Sequence, residues 1–156
     1  MRPVWKYKRE IFFGWTNTGE KLPRIMKVLC TANSGEKLAP KHFAVGYSTS
    51  SIFHISLGAE YVVYGIALWR GLLSYLIVGA YDRPVFYPSD LFEVRDSRLS
   101  PGWHFAFFGQ NDETWVNAVW GYPELTDPQY YDQLVNLDEN ALQTFQKRRQ
   151  EMDESG

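Results

Sequence analysis

The chain has 156 residues, of which 45% are hydrophobic and 22% charged, which suits one hydrophobic core and excludes a wholly disordered protein. Its formal net charge is −2, a balance that argues against a protein that neutralises many phosphates. Aromatic residues make up 17% of the chain, so we expect either a dense core or an aromatic recognition surface.

The first third of the chain carries short strand patterns. Apolar and basic residues alternate over residues 4–8 and apolar residues follow at 11–13, which predicts an early half-buried strand. Residues 25–31 predict a second strand, which ends at a turn formed by Asn33, Ser34 and Gly35. Two further short strands are expected at residues 42–47, after Pro40, and at residues 52–57.

The most apolar stretch covers residues 61–80. As a helix it would be long enough to span a bilayer, but Arg70 lies at its centre beside Gly71, and an arginine at mid-membrane costs about 2.5 to 3.5 kcal/mol. We therefore predict two adjacent antiparallel strands, 61–69 and 72–80, with Arg70 and Gly71 at their turn. Because apolar residues occupy odd and even positions alike, both faces of these strands should be covered.

The rest of the chain predicts more strands and then helices. Short strands are expected at 85–87 and 92–94, joined by a tight turn at 88–91, and a last hairpin pairs 103–108 with 114–120. Asp127 and Pro128 stand in the order of a capping acid and a first-turn proline, and a second helix begins near Asp138. Residues 151–156 should fray.

The predicted fold class is α+β. It is mainly antiparallel β, in a small barrel or curved sheet, with one or two C-terminal helices. The sequence has no internal repeat, low-complexity tract or linker, so we expect a single domain over residues 1–156.

The sequence contains one cysteine, Cys30, which cannot form an intramolecular disulfide. Its neighbours in residues 25–31 are mostly apolar, so we expect a buried and unreactive thiol. The first residues lack the apolar run and the cleavage site of a secretory signal, and we expect a cytoplasmic protein that does not enter the membrane.

The sequence shows no motif for catalysis or cofactor binding. It has no glycine-rich phosphate loop, dinucleotide fingerprint, zinc-helix motif or cysteine pair. His42, His54 and His104 are too dispersed for a local metal site, so we expect no catalytic residue, no metal and no cofactor. An active site assembled in space stays an open alternative, with Cys30 or a serine of residues 48–51 beside His42 or His54.

Charge is divided unequally along the chain. Residues 1–50 hold nine Lys and Arg against three Glu, whereas residues 51–156 hold seven Lys and Arg against fifteen Asp and Glu. The two halves either pair with each other in the fold or present an acidic face to a basic partner. In part of the second half acids and arginines alternate, which favours a solvated, self-paired face over a metal site. These residues are Asp82, Arg83, Asp90, Glu93, Arg95, Asp96 and Arg98.

Several segments look like those of small uncharacterised bacterial proteins. They are Tyr64-Gly65, Trp69-Arg70-Gly71, residues 75–78, residues 87–94 and Trp103. In size, aromatic content, acidic second half and lone cysteine, the chain is similar to immunity proteins of bacterial contact-dependent and other polymorphic toxin systems. The resemblance implies a cytoplasmic, non-catalytic protein that binds one cognate toxin domain, and it implies no particular fold.

A partner surface in the acidic second half follows from this resemblance and from the charge. Many toxin domains that act on nucleic acids are basic, so an inhibitor gains association rate and register by presenting negative charge. Acids in predicted loops suit this role, and exposed aromatic side chains supply the desolvated anchors. The predicted partner-binding residues are Asp82, Tyr87, Asp90, Asp112, Glu113 and Trp115.

Two other functions are kept as alternatives. A small uncharacterised enzyme would show a concave pocket with convergent polar groups and shifted pKa values. A nucleic-acid-binding or regulatory β-barrel would use the aromatic residues between positions 5 and 15, which lie among Lys6, Lys8 and Arg9. The overall charge balance makes nucleic acid the weaker of the two kinds of partner.

Overall fold

The computed structural model describes residues 25–110 and 115–155, which form eight strands, short 3-10 helices and two α-helices. The strands are β1 (Lys27–Cys30), β2 (Glu60–Val62), β3 (Gly65–Trp69), β4 (Leu72–Val78), β5 (Pro84–Pro88), β6 (Phe92–Asp96), β7 (His104–Phe107) and β8 (Val116–Gly121). The helices are α1 (Pro128–Val135) and α2 (Glu139–Ser155). The predicted early strand at residues 4–13 lies outside the described residues.

The strands form two antiparallel sheets, one with the order β2-β1-β6 and one with the order β5-β4-β3-β8-β7. The chain passes from the smaller sheet to the larger one at Val63 and Tyr64. The Val63 amide donates to the Met26 carbonyl at 2.9 Å, and the Tyr64 amide donates to the Leu76 carbonyl at 2.9 Å. One run of chain therefore bends from sheet to sheet, and the prediction of a mainly antiparallel, curved α+β fold is confirmed.

The central hairpin is found where the apolar pattern predicts it. β3 and β4 pair in antiparallel register from Gly65 with Leu76 to Trp69 with Leu72, and Arg70 and Gly71 form the turn with φ angles of 49° and 75°. The first strand begins later than predicted, because residues 61 and 62 belong to β2 in the other sheet. The pairing of β7 with β8 and the turn at residues 89–91 before β6 are also confirmed.

The strands predicted at residues 42–47 and 52–57 are wrong. Residues Pro40–Val45 form a 3-10 helix instead, with proline in its first turn, and Gly46 ends it with a φ of 110°. Proline favours this start because its φ is already fixed and it has no N–H to leave unpaired. Ile52 makes only an isolated bridge to Ser34, although Phe53 and Ile55 are buried.

The core has two parts, one on each side of the larger sheet. Between the sheets lie Val28, Ile77 and Leu91, and between the larger sheet and the helices lie Leu76 and Phe145, each almost inaccessible to solvent. The prediction that Cys30 is buried is confirmed. Burial raises the pKa of its thiol, which lowers the thiolate fraction at neutral pH.

Both helices begin where predicted, with Asp127 as the predicted cap of α1, and Asp138 also caps α2. The Asp127 carboxylate accepts from the Gln129 amide at 2.9 Å, and the Asp138 carboxylate accepts from the Ala141 amide at 3.1 Å. α2 continues to Ser155, and its Met152 is buried against the core. None of the helices among the described residues is long and apolar enough to cross a bilayer.

Leu125 connects the helical layer to the larger sheet. It lies in a 3-10 helix between β8 and α1, and its side chain rests on Gly65 and Gly121, which are paired across β3 and β8. A Cβ atom at Gly65 would come within 2.4 Å of Leu125 Cδ2, and one at Gly121 within 2.5 Å of the same atom. Because Leu125 is fully buried, its side chain has little space into which it could move.

Gly121→Ala should lower the free energy of unfolding by about 1 to 3 kcal/mol, because the new methyl group would overpack against Leu125. Urea unfolding followed by far-UV circular dichroism measures this change. Gly102→Ala serves as the control, since a Cβ atom there meets nothing within 4 Å. Equal unfolding midpoints for the two variants would contradict the proposed packing of Leu125.

Candidate protein-binding surface

A row of cross-strand neighbours runs over one face of the larger sheet from β5 at one edge to β7 at the other. Tyr87 pairs with Tyr75, Tyr75 with Ile66, Ile66 with Trp120 and Trp120 with Phe105. Side chains directly opposite each other in a sheet lie on the same face. The same face is therefore covered at β5 and β4, where Tyr87 is 6% and Tyr75 7% exposed, and open at β7, where Phe105 is 56% exposed.

The smaller sheet causes this difference in cover. Phe92 of β6 packs on Tyr75 and Tyr87, with ring centroids 6.0 and 6.5 Å apart. At the other end of the face Phe105 stacks on Trp120 at 4.7 Å, and Phe107, two residues along β7, is 70% exposed. We call Phe105, Phe107, Trp115 and Trp120 the aromatic edge surface.

Trp115 extends this surface to the turn between β3 and β4. The Arg70 guanidinium lies 3.1 Å from the centroid of the Trp115 ring and 5.2 Å from that of Trp69, which is a cation–π arrangement. Arg70 and Trp115 have φ angles of 49° and 56°, values that non-glycine residues rarely adopt. The Arg70 amide donates to the Trp115 carbonyl at 2.8 Å, and this bond holds the β3–β4 turn to the residue that precedes β8.

Asn117 stabilises the same junction. Its side-chain oxygen accepts from the Gly71 amide at 3.0 Å, and its side-chain nitrogen donates to the Gly109 carbonyl at 2.8 Å. Arg70, Phe107 and Trp115 line an open concavity of about 560 Å³ beside it. The Trp115 end of the aromatic edge surface is thus held in place by hydrogen bonds to the backbone, and it borders a concave region that includes Arg70.

Of the two aromatic residues predicted to be exposed, Trp115 is exposed and Tyr87 is buried. Trp115, which directly precedes β8, is 44% exposed, as predicted. Tyr87 is buried, so its prediction as an exposed anchor is wrong. Its row is covered by Phe92 of the smaller sheet, whereas the same row is open at Phe105, which the sequence analysis did not select.

The four predicted acids have different environments. Asp82 is exposed at a positive φ of 52° and its carboxylate lies 3.0 Å from Arg149 Nη1. Asp90 faces inward: its carboxylate accepts from the Ala39 amide at 3.1 Å and lies 3.2 Å from Nε2 of the buried His42. Asp112 and Glu113 lie outside the described residues.

Among residues 25–110 and 115–155, most ion pairs of the acidic half are made within that half. Arg148 pairs with Glu124 at 2.7 Å and Arg149 with Asp82, while Arg95 pairs with Glu93 at 3.4 Å. Hydrogen bonds from Arg98 hold the pKa of Asp96 below its usual value, and hydrogen bonds from Arg148 do the same for Glu124. The alternating acids and arginines at 93–98 therefore form the self-paired face that the sequence favours.

Among the described residues, neither Cys30 nor a serine of residues 48–51 makes a hydrogen bond to the His42 or His54 side chain. Cys30 Sγ donates to the Ala32 carbonyl at 3.3 Å, and the exposed His54 packs its ring on Tyr81. His42 is buried, and neither of its ring nitrogens makes a hydrogen bond among the described residues, although the Asp90 carboxylate lies 3.2 Å from Nε2. Within residues 25–110 and 115–155, no three His, Cys, Asp or Glu side chains are grouped as metal ligands.

Comparisons with known proteins identify no relative of this chain. No protein-family model matches the chain, and neither the curated proteins nor the solved structures contain a significant match.

Asp90→Ala should lower the free energy of unfolding by about 1 to 3 kcal/mol, because it leaves the Ala39 amide without its acceptor and removes the carboxylate that lies 3.2 Å from Nε2 of the buried His42. Thermal and urea unfolding measure the effect. Asp132→Ala is the control, since Asp132 is exposed on α1. If the two substitutions have the same effect on stability, the structural role given to Asp90 is incorrect.

Proposed function

We propose that the chain is a non-catalytic protein-binding module whose partner, as for immunity proteins, is a basic toxin domain. The observation that carries the proposal is the exposure of Phe107 and Phe105, 70% and 56%, in a sheet face whose other end is core. Large aromatic side chains open to solvent at a sheet edge lose favourable burial unless something covers them.

The aromatic edge surface has the properties of an interface anchor. Binding energy concentrates in a few aromatic and arginine side chains that become desolvated, and Phe105, Phe107 and Trp115 are such side chains on a rigid sheet. β7 is also the last strand of the sheet among the described residues. An extended segment of a partner could pair with its free backbone groups, as in β-strand addition.

A basic partner suits the charge of the second half of the chain. The second half of the chain holds fifteen acids against seven bases, and this excess attracts a positively charged domain from a distance. Aromatic contacts supply the affinity and the acids supply the association rate.

Phe107→Ala should weaken binding of the partner at least about tenfold, because it removes an anchor that becomes buried in the complex. The partner is captured from the protein's own source with the tagged chain, purified, and titrated against each variant by calorimetry. Tyr81→Ala is the matched control, because Tyr81 is a 67% exposed aromatic residue between β4 and β5. Binding within roughly twofold of the parent for both Phe105→Ala and Phe107→Ala would rule out this surface.

The charge component has its own test. Reversing Asp112 and Glu113 to lysine should slow association with the purified partner and reduce the dependence of the association rate on salt. Stopped-flow measurements over a salt series report both quantities, and the same reversal at Asp132 and Glu139, on the helical side of the chain, is the control. Unchanged rates at every salt concentration would remove the two acids from the interaction.

A further inference from the structure

Two adjoining cavities lie beside β5, which is the strand at the opposite edge of the larger sheet from β7 among the described residues. One cavity, of about 270 Å³, lies between the sheet and α1 and is lined by Trp69 and Tyr131, among others. The other, of about 370 Å³, extends along β5 toward Arg83. The residues that line both are Tyr47, Val85, Phe86 and Leu137, and we call the pair of cavities the β5 groove.

The lining of the β5 groove is apolar with a positive end. Among the described residues that line the two cavities there is no Asp or Glu, although acids outnumber bases in the chain by 18 to 16. The basic residues of the lining are Arg83 and His54, and both border the second cavity. This distribution of charge complements a ligand that is apolar over most of its length and anionic at one end.

Arg83 makes no ion pair among the described residues. Its neighbour Asp82 is directed to Arg149, 3.0 Å away, and within residues 25–110 and 115–155 no carboxylate lies within ion-pair distance of Arg83. A guanidinium binds a carboxylate through two parallel hydrogen bonds, which makes an unpaired arginine beside an apolar groove a carboxylate site.

The shape of the groove favours a small molecule over a peptide strand. Pro84 and Pro88 stand at the two ends of β5 and have no N–H to offer an added strand. Small-molecule sites occupy about 300 to 1,000 Å³. The first cavity, of about 270 Å³, lies just below this range, and the second, of about 370 Å³, lies at its lower end.

We propose that the β5 groove binds a medium-chain aliphatic monocarboxylate, with its hydrocarbon chain against Tyr47, Val85 and Phe86 and its carboxylate on Arg83. This site lies on the opposite sheet edge from the aromatic edge surface and does not depend on the proposed partner. It is a binding site only, and no chemical step is attached to it.

The test uses sodium decanoate, titrated into the full chain by calorimetry below its micelle concentration. Decyltrimethylammonium, which has the same chain length and the opposite charge, is the matched probe. We expect saturable binding of decanoate and no saturable binding of the cation. A chain that binds neither probe, or both equally, would overturn the proposal, because the first result denies the site and the second denies recognition by Arg83.

Variants locate the site. Val85→Glu places a charge on the groove wall and should weaken decanoate binding roughly tenfold or more, whereas Val94→Glu, at a valine of similar exposure on β6, should not. Arg83→Gln should weaken binding roughly tenfold and Arg83→Lys less. Circular dichroism confirms that each variant is folded, and Arg83→Gln decides the matter if Val85→Glu does not fold. Decanoate affinity that is unchanged by Arg83→Gln places the carboxylate elsewhere and overturns the proposal.

Discussion

The bend at Val63 and Tyr64 determines how the two sheets lie against each other. Because β2 continues into β3 through this bend, the smaller sheet is tied by backbone hydrogen bonds to the middle of the larger one. From there β6 reaches over β4 and β5 with Phe92, and β7 and β8 are left without cover at Phe105 and Phe107. One geometric constraint thus produces both the core between the sheets and the open aromatic face.

The sequence predicts the elements of this fold better than it predicts which of them are covered. The hairpin around Arg70 and Gly71 follows from an uninterrupted apolar pattern, and the helix starts follow from Asp127 and Asp138, because these signals are local. Tyr87 and Phe105 have similar local patterns, yet one is buried and the other exposed. The difference in their exposure depends on the strand order and on the position of the smaller sheet, and both are determined by residues distant in the chain.

The roles of the charged residues are also only partly predictable from the sequence. The acidic second half is evident from composition, but its arginines already neutralise several of its acids, and Asp90 turns inward to His42 and the Ala39 amide. Arg83 remains unpaired among the described residues because Asp82 is held by Arg149 instead. Whether a charged side chain serves the fold or a ligand therefore depends on contacts made 50 or more residues away along the chain, as for Ala39 with Asp90 and Asp82 with Arg149.

The two edges of the larger sheet, as described, also differ in how readily they would pair with another copy of the chain at high concentration. β5 has a proline at each end, whereas β7, His104–Phe107, has neither proline nor lysine and carries two exposed phenylalanines. Natural sheets use prolines and lysines at their edges to keep copies of a chain from joining. Among the described residues β7 is thus the edge at which copies of the chain would pair, so under the proposed function an excess of the chain over its partner would favour self-association.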